Sequence, residues 1–174
     1  MPQTYTAAVY NVLFLCTGNS ARSILAEALI NHPPIGLGKF RGYSAGSKPK
    51  GHIHPMALDL LRQYHLPVGR LRSKSWDEFA APDAPQMDFV ITVCDQAAAE
   101  VCPVWPGQPV TGHWSVPDPA AVEGPEEVRR RAFREAHQAL RRRIELFGAL
   151  PFESLSRLAL EGQLRNIGTS NRDQ

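Results

Sequence analysis

One short segment of the chain combines a nucleophile with a setting that suits an oxyanion. Cys16 is followed, after five intervening residues, by Arg22 and Ser23, and the segment lies between an apolar run at 12–15 and a helix-like run at 24–30. Backbone N–H groups at the start of a helix point at a bound anion, and the helix dipole favours its negative charge. The same field favours the thiolate form of Cys16, and Arg22 adds a fork of donors that matches tetrahedral oxyanions. The segment therefore predicts a cysteine nucleophile at the bottom of an anion-binding loop.

The elements that must position this loop predict an α/β fold. Residues 10–15 and 88–94 are nearly continuous in apolar residues, which is typical of parallel strands covered on both faces. Helical patterns alternate with the strands, and this alternation favours a parallel sheet wrapped by helices. The other predicted elements are strands at 40–44 and 109–114, helices at 21–31, 55–64, 97–100, 125–147 and 152–167, a helical turn at 76–80, and a turn or short strand at 66–71.

These elements predict one domain with a tail. We expect a single-domain α/β protein whose four-stranded parallel sheet is flanked by helices on both faces, with a C-terminal helical extension. Residues 1–9 are interpreted as a leader, residues 10–150 as the catalytic domain and residues 151–174 as a helical tail to which the sequence assigns no function. The helix at 21–31 is expected to stop at Pro33-Pro34, because proline cannot continue a helix.

Composition limits the classes of function. The chain has 174 residues, 43% hydrophobic and 21% charged, which suits a soluble globular domain. No apolar run approaches the roughly 20 residues of a membrane span, and the N-terminus does not resemble a secretory signal, so we expect a cytoplasmic protein without membrane contact. Its three cysteines are an odd number, which argues against a disulfide framework and leaves room for catalytic or redox use.

The charge pattern argues against a nucleic-acid partner. The net charge is +2. The basic runs at 129–131 and 141–143 alternate with apolar residues at helical spacing, which favours a solvated helix face; a nucleic-acid surface is the alternative.

The order of motifs along the chain resembles a known enzyme superfamily. Cys-x5-Arg-Ser follows the first strand, and Asp118-Pro119 comes late in the chain. Over roughly residues 10–150 the chain resembles the low-molecular-weight protein tyrosine phosphatase superfamily, and more closely the arsenate reductases built on that fold. The resemblance also rests on Tyr43-Ser44-Ala45-Gly46, Val90-Ile91-Thr92-Val93-Cys94-Asp95, Cys102-Pro103 and His113-Trp114.

The resemblance implies a role for each residue of the motifs. Cys16 would attack arsenic, Ser23 would donate a hydrogen bond to the thiolate, and Asp118 would protonate the departing oxygen. Cys94 would attack the Cys16–arsenic adduct and release arsenite, and Cys102 would then take over the disulfide. The oxyanion would be held by the loop residues Thr17, Gly18, Asn19, Ser20, Ala21 and Arg22, with Asn19 also bracing the loop.

The resemblance also implies what the protein works with. The substrate would be arsenate or a phosphate-like oxyanion, and the external reductant would be thioredoxin, or glutathione with glutaredoxin. No metal or organic cofactor is expected, although an alkali cation could lie near Asn19, Glu27 and Ser44, as in some relatives. We expect a monomer. Ala21 stands where many relatives carry a second loop cysteine, so electrons must come from Cys94, Cys102 or an outside thiol.

Other interpretations of these residues stay open at this point. The anion-binding loop alone would also suit a phosphatase that hydrolyses phosphotyrosine or small phosphate esters. It would equally suit a non-catalytic module that senses oxyanions or redox state. Cys94 and Cys102 could be inert core thiols, and Asp118 a turn residue. His52 with His54, or Cys94 and Cys102 with His113, could bind a metal, but neither set has a standard spacing.

The distance between Cys94 and Cys102 limits when they can form a disulfide. If residues 95–101 were helical, Cys94 and Cys102 would be about 12 Å apart at 1.5 Å per residue. A disulfide requires Cα atoms within about 7 Å. The sequence therefore predicts that residues 95–101 change conformation between the reduced and oxidised forms.

Overall fold

A computed structural model describes residues 8–170 and contains one parallel sheet. Its strand order is β2-β1-β3-β4, and every neighbouring pair is parallel. The strands are β1 (Tyr10–Cys16), β2 (Phe40–Gly46), β3 (Phe89–Thr92) and β4 (Val110–His113). The predicted α/β fold with a four-stranded parallel sheet is confirmed, because all four strands overlap the ranges predicted for them.

The helices overlap the predicted ranges, apart from shifted ends and two differences. They are α1 (Arg22–Ile30), α2 (Pro33–Gly36), α3 (Pro55–Gln63), α4 (Asp95–Ala99), α5 (Glu126–Gly148) and α6 (Arg157–Gly168), with 3₁₀ turns at Trp76–Phe79, Pro119–Ala121 and Phe152–Ser154. Pro33 does not only stop a helix but begins α2, where its missing N–H leaves no hydrogen bond unmade. Residues 66–71 include a turn at 69–70 and no strand, which is the first of the two alternatives predicted for them. The helix predicted over 152–167 is interrupted before Ser156, which caps α6.

The sheet is covered on both faces, which explains the continuous apolar strands. Along β1, Phe14 and Cys16 face a large core that α1, α3, α5 and α6 share. Leu13 and Leu15 face a smaller cluster formed with the 3₁₀ turn at 76–79 and with Trp105. Since neighbouring residues of a strand point to opposite faces, a strand buried on both sides shows no polar alternation.

Helix α6 packs into the large core, although the sequence placed it in a tail. Leu164 and Ile167 are buried among the core residues, and the indole Nε1 of Trp114 donates to the carbonyl of Leu164 at 3.2 Å. A side chain at Gly168 would collide with the carbonyl of His113, so α6 lies close against the end of β4. The domain boundary at residue 150 stays a prediction, and most of the predicted leader lies outside the described residues.

Candidate active site

The anion-binding loop, residues 16–23, begins where β1 ends and finishes in the first turn of α1. Asn19 has a φ of 43°, a left-handed conformation that asparagine tolerates better than most residues. The end of β2 lies close beside the loop, because a Cβ at Gly46 would come within 2.4 Å of the carbonyl oxygen of Thr17. The loop is therefore held against the sheet at a distance that only glycine permits.

Three carbonyl groups of the loop point outward to a neighbouring segment. The backbone N–H groups of Lys48, Lys50 and His54 donate to the carbonyls of Thr17, Gly18 and Ser20, each at 2.9 Å. With these oxygens turned away, the N–H groups of the loop are left to face an anion. The sequence did not predict that residues 48–54 support the loop, because they do so through backbone N–H groups, which leave no motif in the sequence.

Cys16 lies at the bottom of the loop. It is 3% exposed, and its Sγ lies 2.8 Å from the hydroxyl oxygen of Ser23. The backbone N–H of Asn19 donates to the same sulfur at 3.2 Å. These contacts fix the sulfur and give it hydrogen-bond donors, so Ser23 lies where the sequence placed it.

Arg22 and Asp118 form the rim of the loop. Arg22 opens α1, and its Nη1 donates to the carbonyl of Val116 at 3.0 Å. Its Nη2 lies 3.7 Å from Oδ2 of Asp118. The other carboxylate oxygen of Asp118 accepts the backbone N–H of Ala120 and so caps the 3₁₀ turn at 119–121. The structure thus brings the predicted acid to the mouth of the predicted anion site.

Cys94 is brought to the same edge of the sheet. Thr92 pairs with Leu15, and the N–H of Val93 donates to the Leu15 carbonyl at 2.8 Å, so β3 ends beside β1. The Sγ of Cys94 is buried and lies 3.7 Å from the hydroxyl of Thr17 in the loop. It also accepts the N–H of Ala97 and so caps α4. The ends of neighbouring parallel strands are where ligands bind in open α/β sheets.

The Sγ of Cys102 lies 3.9 Å from the carbonyl oxygen of Glu100. All three cysteines, which lie within the described residues, are free thiols, and Cys102 is the one that is half-buried. Burial raises its pKa, and the nearby Glu100 carboxylate raises it further. Glu100 also accepts a hydrogen bond from Thr17 at 3.3 Å. A raised pKa keeps Cys102 as the thiol, the less nucleophilic form.

A histidine fastens the start of α4 to β4. His113 Nε2 lies 2.8 Å from Oδ1 of Asp95, and its Nδ1 lies 2.7 Å from the hydroxyl of Thr92. The hydrogen bond to His113, with a second one to Ser115, lowers the pKa of Asp95. These contacts were not predicted, because His113 was considered only as part of a motif or of a metal site.

The residues considered for a metal have other contacts. Nδ1 of His54 accepts the N–H of Met56 and so caps α3, while its ring packs on Phe133. Among residues 8–170 no three histidine, cysteine or acidic side chains come together in a way that could hold a metal ion. In the same range no helix is both long and apolar enough to cross a membrane.

Comparison with known proteins identifies the family. Residues 11–157 match the family described as low molecular weight phosphotyrosine protein phosphatase. An arsenate reductase of Halalkalibacterium halodurans is 34% identical over 142 residues, which cover 78% of this chain and 93% of the relative. The chain therefore belongs to the low molecular weight phosphotyrosine protein phosphatase family.

Solved structures of arsenate reductases share the fold. An arsenate reductase in the phosphate-binding state is 26% identical, with a TM-score of 0.59. The alignment covers 78% of this chain and 97% of the chain of that structure. The thioredoxin-dependent arsenate reductase of Corynebacterium glutamicum is 27% identical, with a TM-score of 0.52, and covers 78% of this chain and 60% of its own. The predicted resemblance to arsenate reductases of this superfamily is thereby confirmed.

Proposed function

We propose that this protein reduces arsenate to arsenite and draws the electrons from its own cysteines. The observation that carries the proposal is the position of Cys94, whose sulfur lies 3.7 Å from the hydroxyl of Thr17 in the anion-binding loop. A phosphatase needs only water to clear its cysteine adduct, whereas a reductase needs two electrons, and thiols supply them. The similarity to curated arsenate reductases supports the same reaction.

The first step is formation of a cysteine–arsenic bond. Arsenate binds among the loop N–H groups and Arg22, and the Cys16 thiolate attacks arsenic. One arsenate oxygen leaves as water after protonation by Asp118, whose carboxylate lies 3.7 Å from the guanidinium. Arsenic remains pentavalent in this adduct, so no electron has yet been transferred.

The second step transfers the electrons. The Cys94 thiolate attacks the sulfur of Cys16, an S–S bond forms, and the As–S bond breaks with its electron pair left on arsenic. Arsenic becomes trivalent and leaves as arsenite, while two thiols become one disulfide. Cys102 then attacks the sulfur of Cys94 and frees Cys16, which leaves a Cys94–Cys102 disulfide.

The cycle closes with an external thiol. Thioredoxin, or glutathione with glutaredoxin, would reduce the Cys94–Cys102 disulfide and take up its oxidising equivalents. Similarity to a thioredoxin-dependent arsenate reductase favours thioredoxin. Three free thiols suit the reducing conditions of the cytoplasm, where we expect the enzyme to work.

Arsenite release with each donor tests the proposal. We expect wild type to release arsenite with thioredoxin, and both Cys94→Ser and Cys102→Ser to lose turnover. Tolerance of Cys102→Ser alone would indicate that a small thiol attacks directly. Cys94→Ser should still bind phosphate, which provides a control for folding. Turnover of phosphate esters with no arsenite under any donor would contradict the proposal and favour the phosphatase alternative.

A further inference from the structure

A buried ion pair lies behind the anion-binding loop. Lys74 Nζ is 3.6 Å from Oε1 of Glu27, and the two side chains are 6% and 10% exposed. Burial raises the pKa of Glu27 and lowers that of Lys74, and in each case the partner's charge opposes the shift. A charge in such a position is costly unless it is paired, so Glu27 depends on Lys74.

The pair is connected to the nucleophile through Asn19. The backbone N–H of Lys74 donates to Oδ1 of Asn19 at 2.9 Å. The amide nitrogen of Asn19 donates to Ser44 at 3.0 Å and to Ser23 at 2.8 Å. The Ser23 hydroxyl lies 2.8 Å from the sulfur of Cys16. Lys74 is therefore two side chains away from the reacting atom.

The ammonium group pairs with Glu27, one of the three residues near which an alkali cation could lie, and the N–H of the same lysine binds Asn19, another of them. Glu27, Ser44 and Asn19 offer the hard oxygen atoms that such a cation prefers. Lys74 Nζ already pairs with the Glu27 carboxylate and donates to the carbonyl of Arg72 at 3.0 Å. An added cation would be repelled by the lysine charge and would compete for the same carboxylate. The residues present therefore do not fit an alkali ion.

We propose that Lys74 is a built-in monovalent cation that positions Asn19, Ser23 and Cys16, so that the site works without added alkali ions. Its role as a positioning residue for arsenate reduction rests on the proposed function. The segment that carries it is attached to the sheet at a second point, because the N–H of Gly46 donates to the Lys74 carbonyl at 2.9 Å. Charge and backbone act together: the ammonium neutralises Glu27 and the N–H orients Asn19.

The test uses Lys74→Met and the alkylation rate of Cys16. Cys94 and Cys102 are replaced by serine, so that Cys16 is the only thiol, and KCl is compared with choline chloride at an ionic strength of about 0.1 M. We expect the protein with Lys74 intact to react equally in both salts. With Lys74→Met in choline we expect alkylation near pH 7 to slow about tenfold, a coupling typical of one hydrogen-bond network. KCl should restore part of the rate and raise the melting temperature.

The matched control removes both charges. Glu27→Gln/Lys74→Met leaves no unpaired charge, so it should fold, and its alkylation should be slow in both salts. Two results that do not depend on the single variant would overturn the proposal: stimulation of the Lys74 protein by KCl over choline, or alkylation of the double variant at the rate of the Lys74 protein. If Lys74→Met does not fold, the Lys74 protein in the two salts and the double variant still test the proposal.

The alkylation readout separates this inference from the proposed function. It needs no arsenate and no reductant. A protein that releases no arsenite but shows the expected salt response would lose the proposed function and keep the role of Lys74. A protein that releases arsenite while Lys74→Met alkylates like its parent in both salts would keep the function and lose the role.

Discussion

The two thiol-bearing regions of the site are built in opposite ways. The loop at 16–23 is held by hydrogen bonds from β2, from the backbone of residues 48–54 and from Lys74. The segment from Cys94 to Cys102 consists of the five-residue helix α4 and an extended stretch whose Val101 is 94% exposed. It is fastened by the largely exposed His113–Asp95 contact and by the Thr17 hydroxyl, which lies near Cys94 and donates to Glu100. One region is fixed in place, and the other is attached at few points.

This difference matches what the proposed chemistry asks of each region. An oxyanion site is effective when its donors are fixed before the anion arrives. A cysteine that must pass a disulfide from Cys16 to Cys102 has to move, and short, exposed segments open at low free-energy cost.

Gly46→Ala should have the largest effect on stability, because it disturbs the fixed region directly. The new Cβ would lie 2.4 Å from the carbonyl oxygen of Thr17, so the loop backbone must shift. We expect a loss of about 1 to 3 kcal/mol in the free energy of unfolding, as for other overpacked sites. Phosphate affinity should fall with it. Denaturant unfolding and phosphate titration measure the two effects.

The control for this variant is Gly69→Ala. A Cβ at Gly69 would meet nothing within 4 Å, so its effect should stay within about 0.5 kcal/mol. Equal stability and equal phosphate affinity of the two variants would show that the loop is not held as tightly as the structure indicates.

Asp118→Asn tests the chemistry at the rim of the loop. Removing a general acid lowers the rate of the chemical step by roughly 10² to 10⁴-fold. Phosphate binding should change little, because the loop N–H groups and Arg22 remain. Single-turnover arsenite release and phosphate titration separate the two quantities.

Asp59→Asn is the matched control for Asp118→Asn. Asp59 also pairs with an arginine, Arg130, at 3.3 Å, but it lies in α3, away from the loop. Its replacement should leave the rate unchanged. An unchanged rate in Asp118→Asn as well would remove Asp118 from the mechanism.

The sequence predicted the reactive residues of the site better than the residues that hold them in place. Cys16, Arg22 and Ser23 lie close together along the chain, so their meeting at a strand end follows from local structure. Cys94 could be placed as well, because its apolar strand had to end at the same edge of the sheet as β1.

The residues that hold the site in place could not be predicted, because they come from irregular segments. Lys74 lies in a stretch without helical or strand periodicity, so nothing local indicates that it is buried against Glu27. The packing of α6 was missed for a related reason: Leu158, Leu164 and Ile167 are all apolar, but only the last two are buried. Such contacts depend on how the chain returns to the sheet, which no local pattern encodes.

Oxidation should loosen residues 95–101, and hydrogen exchange can measure it. Helix α4 occupies five of the seven residues between Cys94 and Cys102, and a disulfide that requires Cα atoms within about 7 Å should unwind it. We expect faster exchange at 95–101 in the oxidised form and no change in α1. Asp95→Asn should raise exchange there in the reduced form, because it weakens the contact with His113. Equal protection in both forms would contradict the idea of a mobile region.

Glu100→Gln should give the smallest effect, a faster reaction of Cys102. Burial is the larger cause of the raised pKa of this thiol, and the Glu100 carboxylate is the smaller one, so removing the carboxylate lowers the pKa only in part. With Cys16 and Cys94 replaced by serine, alkylation of Cys102 near pH 7 should speed up about two- to fivefold, since the rate follows the thiolate fraction. The exposed Glu153→Gln should leave it unchanged. If Glu100→Gln instead slowed the reaction, the contact between Glu100 and Thr17 would be what presents Cys102, and the segment would be more ordered than its exposure suggests.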